Sequence, residues 1–206
     1  MSTFAADSEK ALSLAPVHKG SGFAVSGGKW FIAECKPTRE RTIRRLLETA
    51  GYEAFIASRK EEVVYASRNR RVKETVLLPG KLFVRTDETQ LMTIMLEYPS
   101  VHRFMIDRAS SDREKNKRVY ASISDAEKQE LERMLADAPG SVTISTDELE
   151  IGQEIEVVRG PLKGMRGNLT RVESKDCLVL KMEMGATHYI YTEIPLADLS
   201  ICSLEK

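Results

Sequence analysis

The run EIEVVRGPLKGMRGNLT, Glu154–Thr170, decides how the second half of this chain folds. Val157 and Val158 run into Arg159-Gly160-Pro161, residues that break a strand. Gly164 and Gly167 then bracket Met165 and Arg166 before an apolar-alternating segment resumes at Leu169. Glycine supplies the positive φ angles and close backbone approach that a tight strand–loop–strand needs. Three glycines within eight residues also raise the alternative of a phosphate cradle. A phosphate loop needs Lys and then Ser or Thr directly after its last glycine. Here Asn168-Leu169 follows, and the strand–loop–strand reading stands.

Outward from this run the pattern stays strand-rich. Ile155–Val158, Met165–Val172, Leu178–Met184, His188–Ile194 and Leu199–Cys202 alternate at short intervals with no helical stripe among them. Five short strands in roughly 55 residues predict a small barrel, close to the lower size limit for independent folding. Ala138-Pro139-Gly140-Ser141 and the polar residues that follow predict a linker over 138–149, which sets the barrel at 150–206. Upstream, Ser124 with Glu127 three residues on forms a capping box. Leu131, Met134, Leu135 and Ala138 stripe the helix it introduces.

The front of the chain reads as α/β, residues 29–137, after a polar tail over 1–28 that is expected to be mobile. Trp30-Phe31-Ile32-Ala33 suits a strand covered on both faces. Thr38 can cap a helix in which Ile43, Leu46, Leu47 and Ala50 share one face and Gly51 marks the end. Strands are expected from Tyr52, continuing as far as Tyr65, and over Thr75–Arg85. Arg68-Asn69-Arg70-Arg71-Val72-Lys73 makes a basic hairpin tip between them, and Pro79-Gly80 makes a bulge or kink in the second. Past it, Leu82 and Val84 lie on one face and Lys81, Phe83 and Arg85 on the other. A second helix is expected over Glu88–Glu97, closed by Pro99. A short strand is expected at Phe104-Met105-Ile106, and a loop over 107–118.

Composition narrows the function classes. Apolar residues make up 42% and charged residues 30%, and the formal net charge is zero. That zero hides an asymmetry: Trp30–Arg85 holds 13 basic against 7 acidic residues, while Ala138 onward holds 7 against 11. The front half is therefore suited to a polyanion nearby, and the rear half is not. Cys35, Cys177 and Cys202 are few, odd in number and far apart, with no spacing that suggests zinc or a disulfide framework. Buried free thiols in a reducing compartment are expected. No apolar run approaches the ~20 residues of a membrane span, and the N-terminus lacks the form of a secretion signal. A cytoplasmic monomer with no membrane association, no cofactor and no metal is expected. His18, His102 and His188 stand apart from any acid–nucleophile pattern, so no catalytic residue is assigned and the chain does not read as an enzyme.

The run Glu154–Thr170 resembles a KOW motif, the strand–loop–strand element of small barrels in transcription and ribosomal proteins. Lys29-Trp30-Phe31 opening the first strand, the basic helix after it and Leu78-Pro79-Gly80-Lys81-Leu82-Phe83-Val84 extend the likeness. Together they resemble the NusG family of transcription elongation factors over about residues 29–205. The resemblance implies an α+β protein: a NusG-like α/β sandwich with a mostly antiparallel sheet, joined to an SH3-like KOW barrel. Cys35-Lys36 and Arg103-Phe104-Met105-Ile106-Asp107 are similar to the specialised antiterminators of polysaccharide operons, the RfaH and UpxY kinds.

In that family the N-terminal domain docks on the clamp helices of RNA polymerase through an apolar surface of the sheet. The implied contact here is Phe83, flanked by Lys81 and Arg85, with Glu34 and Phe55 as further candidates. An aromatic exposed between two cations can anchor an interface; the alternative is that one of the chain's own helices covers Phe83. Related proteins often carry an aromatic where this chain has Lys81. Arg41, Arg44 and Arg45 on the first helix, with Arg68, Arg70, Arg71 and Lys73 on the hairpin, are candidates for DNA phosphate or are simply solvated. Met92–Met95 could face a second polymerase wall or pack in the core. For the barrel, the family implies the ribosome or the Rho terminator as partners, with Arg159, Leu162 and Met165 as candidate contacts or as parts of a structural turn. The functional expectation is a factor that suppresses pausing or termination by contact with RNA polymerase. The alternative is a ribosomal or RNA-binding KOW protein, which the acidic rear half disfavours.

Overall fold

A computed structural model describes residues 28–64, 70–108, 110–111 and 118–201, with 61–64 in backbone only. The N-terminal tail up to 27, Arg68 and Cys202 lie outside the described residues, as does most of the 107–118 loop.

The first sheet is built around β1 (Lys29–Cys35). Its apolar run is buried on both faces, as a central strand's must be. The chain then forms α1 (Glu40–Thr49), β2 (Glu53–Phe55), β3 (Ser58–Val64), β4 (Arg70–Val76) and β5 (Lys81–Thr86). A 3-10 turn at Glu88–Gln90 leads into α2 (Leu91–Glu97), and β6 (Val101–Phe104) and β7 (Ser122–Ile123) follow. The sheet runs β2-β5-β1-β6, with β7 pairing β1 beside β6, and every pairing is antiparallel. Trp30 faces Arg85 across the β1–β5 ladder, and Ile32 faces Phe83. β3 and β4 form a separate two-stranded ribbon.

Two of the expected strands are each divided. The segment from Tyr52 leaves the main sheet after Phe55 and enters the ribbon at Ser58, while Thr75–Arg85 is split between β4 and β5. The reason for the second break is a true turn at Gly80 rather than a kink. Its φ of +73° suits glycine, and a Cβ there would stand 3.0 Å from the Cys35 carbonyl oxygen. The buried Glu40 carboxylate accepts from the Gly80 N–H at 2.7 Å, and the Cys35 N–H donates to the Gly80 carbonyl at 2.9 Å. The strand therefore changes sheets where α1 grips it. Thr38 does not cap α1: it sits at φ +73°, and Arg39 holds the cap position with no side-chain bond.

One face of the sheet carries Phe31, Ala33, Leu82 and Val84. It packs against Ile43 and Leu47 of α1 and Leu91 and Ile94 of α2. The other face meets α3 (Asp125–Asp137), whose capping box between Ser124 and Glu127 is present as expected. Beyond α3 come β8 (Val142–Ser145), β9 (Glu154–Val157), β10 (Arg166–Val172), β11 (Lys175–Glu183), β12 (Thr187–Glu193) and β13 (Leu199–Ile201). They form an antiparallel sheet in the order β13-β9-β10-β11-β12-β8, the small SH3-like barrel. The stretch 138–149 is thus not only a linker, because β8 within it pairs with β12 and its Val142 is buried.

Replacing Glu40 with alanine leaves the Gly80 N–H without its buried acceptor. A loss of about 1–3 kcal/mol in unfolding free energy is expected, measured by urea denaturation of the full chain.

Candidate functional site

The β1–β5 alternation sends Trp30, Ile32, Phe83 and the charged pair Glu34 and Lys81 to the face opposite α1 and α2. That face is not open. Phe83 is 0% exposed, and the expected exposed aromatic is replaced by one sealed in the core. Two bodies seal it. α3 lies over the Trp30 end: Asp125 accepts from the Trp30 indole at 2.8 Å and from Arg85 at 3.0 Å. The Lys128 ammonium stands 5.1 Å above the rings of both Trp30 and Phe55. Phe55 in turn packs against Phe83, ring centroids 5.6 Å apart.

The barrel covers the other end. A narrow gap is lined on the sheet side by Ile32, Leu78, Lys81, Phe83 and Met105, and on the barrel side by Met184 and His188. Gly185, at the tip of the β11–β12 hairpin, lies so near that a Cβ would stand 2.7 Å from the Met105 methyl. His188 is buried, with Nδ1 2.8 Å from the Ala186 carbonyl oxygen. Arg133 of α3 donates to the Lys163 carbonyl in the KOW loop, tying that loop to the helix.

At the rim of this contact Glu34 accepts from both Lys81 and Arg103. The Arg103 bond, with a further contribution from Lys81, holds the Glu34 carboxyl below the usual carboxylate range despite its partial burial. Burial pushes the Cys35 thiol up to about 11, with the nearby Glu40 charge adding to it, and burial also raises Cys177. Both are buried free thiols, as expected.

The candidate phosphate-binding cations do not gather on this face. Arg41 of α1 donates to the Glu74 carboxylate and carbonyl, both at 3.0 Å, so α1 is tied to the ribbon. Arg44 pairs with Glu48 at 3.6 Å, and Arg45 is exposed. Arg70, Arg71 and Lys73 are exposed along β4. In the KOW loop Arg159 is exposed, while Leu162 and Met165, 1% and 2% exposed, are core residues rather than contact residues. Met92 on α2 is 59% exposed and Leu96, one turn on, is 75% exposed; Met95 is half-buried.

The sequence reading missed Met105, Met184, Gly185 and His188. Met184 ends an apolar-alternating strand, which marks it for burial without saying against what. Among the described residues no group of three His, Cys, Asp or Glu could hold a metal ion, and no helix is long and apolar enough to cross a membrane.

Fold and site describe a two-body protein in which one apolar sheet face is turned inward against α3 and its own barrel. The chain belongs to the NusG family of transcription factors: the family model described as "Transcription termination factor nusG" matches residues 28–133. No curated protein matches the chain. Similar solved structures include one titled "Domain interaction in Thermotoga maritima NusG". It has 14% identity and a TM-score of 0.41, over 86% of this chain and 98% of that one. Two conformations of an MjSpt4:Spt5 complex are also similar, each at 17% identity. Conformation A has a TM-score of 0.27 over 84% of this chain and 98% of that one; conformation B has 0.29 over 86% and 99%. Membership rests on the family match.

Because the Glu34 carboxyl is held low, its contribution to stability is complete above the ordinary carboxylate range and is lost as pH falls through its own lowered value. Glu34→Gln should therefore flatten the acid limb of the stability–pH curve. A difference of about 1 kcal/mol near neutral pH, vanishing in acid, is expected in urea melts across pH 2–7.

Proposed function

We propose that the protein binds RNA polymerase through the Phe83 face of its first sheet, once the barrel has left that face, and so suppresses pausing or termination. The observation that carries this reading is the apolar face itself. It lies within the matched segment 28–133, bears Trp30, Ile32, Phe55 and Phe83, and is covered at one end by α3 and at the other by a separate module. Bridging two walls of the polymerase would favour one of its states over another, so the activity is differential binding and requires no chemistry on a substrate. Lys81 and Glu34 stand on the rim of the face and Phe55 beside Phe83, where they would surround the docked element.

The exposed cations Arg45, Arg71 and Lys73, with Arg41, Arg44 and Arg70 beside them, suit contact with DNA phosphate in the elongation complex. Arg68 belongs to the same expected set. The barrel, acidic overall, suits a protein partner such as the ribosome or Rho, with Arg159 the exposed one of the three candidates Arg159, Leu162 and Met165. The Cys35-Lys36 and Arg103–Asp107 segments support a specialised antiterminator serving a polysaccharide-type operon, acting as a cytoplasmic monomer.

Met184→Asp places a charge against Met105 and Phe83 and should loosen the barrel from the sheet. Pull-down with core RNA polymerase should then show about tenfold tighter binding than the unmodified chain, because the competent state is more populated. Adding Phe83→Ala should abolish that gain, with the retained fold checked by circular dichroism. Retention of RNA without polymerase by every form would instead favour the RNA-binding alternative.

A further inference from the structure

We propose that β8 is a detachable latch: it must unpair from β12 before the barrel can clear the Phe83 face. This rests on the reading that the face is used for docking, and it assigns the control of that site to a four-residue strand.

Two constraints lead to it. The first is reach. Ala138 belongs to the first body: its side chain is buried, and its carbonyl accepts from Arg59 at 2.8 Å. Val142 belongs to the barrel, paired opposite Thr192. Only Pro139, Gly140 and Ser141 stand between them, so with β8 in place the barrel edge stays within about 14 Å of Ala138. That is about the thickness of one helix. The barrel can pivot there, but it cannot be carried bodily off the face. If β8 leaves β12, the next anchor is Leu149, packed against the Cys177, Val179 and Tyr189 cluster, followed by Glu150, whose carbonyl accepts from the Thr170 hydroxyl at 2.9 Å. The leash becomes eleven steps and reaches about 37 Å.

The second constraint is weak attachment. β8 has four residues, of which Val142 is buried, Ile144 and Ser145 are half-buried and Thr143 is exposed. Opposite Val142 in the ladder, the Thr192 hydroxyl is buried with no hydrogen-bond partner among the described residues, in a residue 1% exposed. A buried unsatisfied hydroxyl opposes the packing that hides it and would be relieved by water when β8 lifts. The flanking Pro139-Gly140-Ser141 and Thr146-Asp147-Glu148 are polar or turn-forming, so they lose little on leaving the sheet.

The test locks the latch. Thr143 and Tyr191 are directly opposite in the β8–β12 ladder, a spacing a disulfide spans. The full chain carries Thr143→Cys and Tyr191→Cys in a Cys202→Ser background. Met184→Cys, at a buried interface position, reports opening through its alkylation rate, followed peptide by peptide. Oxidation should slow alkylation at position 184 at least tenfold, and reduction should restore it. A twelve-residue Gly-Ser insertion after Gly140 should restore it in the oxidised protein as well. Equal rates in the oxidised and reduced proteins would overturn the latch, as would a failure of the insertion to rescue the oxidised one. Polymerase binding is scored separately on the same proteins. Its absence from every form would remove the docking reading while the alkylation rates still decide the latch.

Discussion

The structure depends on one strand that has to be covered twice. β1 carries Trp30, Phe31, Ile32 and Ala33 in unbroken succession, so both of its faces are apolar and neither can be left to water. At about 25 cal/mol per Å² of apolar surface, exposing either face of the β1–β5 pair would cost several kcal/mol. That is a large share of what a domain of this size has to spare. The chain meets the demand on one side with α1 and α2, which are joined to the sheet by short local connections. On the other side it uses α3 and then a separate barrel.

The two coverings differ in kind. Under α1 and α2 the contact is continuous and apolar, and it is reinforced by the buried Glu40 carboxylate on the Gly80 turn. On the Phe83 side the apolar centre is ringed by polar devices: Asp125 receiving Trp30 and Arg85, Lys128 over two rings, and Glu34 between Lys81 and Arg103. The barrel's own contribution is narrow, a hairpin end with Met184, Gly185 and His188. A cover of that kind suits the proposed docking, which needs the face both protected and uncovered. Protection matters because a free apolar patch of this size invites association with whatever is nearby.

Charge follows the same division. Arg41, Arg44 and Arg45 of α1 and Arg71 and Lys73 of the ribbon are set apart from the covered face, with Arg41 tied to Glu74 of the ribbon. The Glu34 triad sits at the boundary, where a partner with its own charged rim would find groups already held in place.

Local chemistry made much of this legible in the sequence. The unbroken run at Trp30, the stripe through Ile43 and Leu47, the Ser124–Glu127 box and the glycine pattern at 160, 164 and 167 each fix their own neighbourhood. Each is met in the structure within a residue or two at the element ends. The alternation that puts Lys81 and Phe83 on one side and Leu82 and Val84 on the other was also fixed locally, since a strand has period two. What alternation cannot tell is what lies above a face. Phe83 between two cations looks the same whether it meets solvent, a helix or another module, and only the packing of α3, Phe55, Met184 and His188 settles that it is sealed. Leu162 and Met165 pose the same problem in the KOW loop: they are buried in the main apolar cluster, among residues distant in the chain. β8 poses it at 142–145, where four weakly patterned residues become a strand because β12 offers an edge. The sequence by itself determined most of the elements, their order and the family. The tertiary structure decided which surfaces are free, because burial depends on pairs of residues far apart in the chain, and no short-range pattern records who the second partner is.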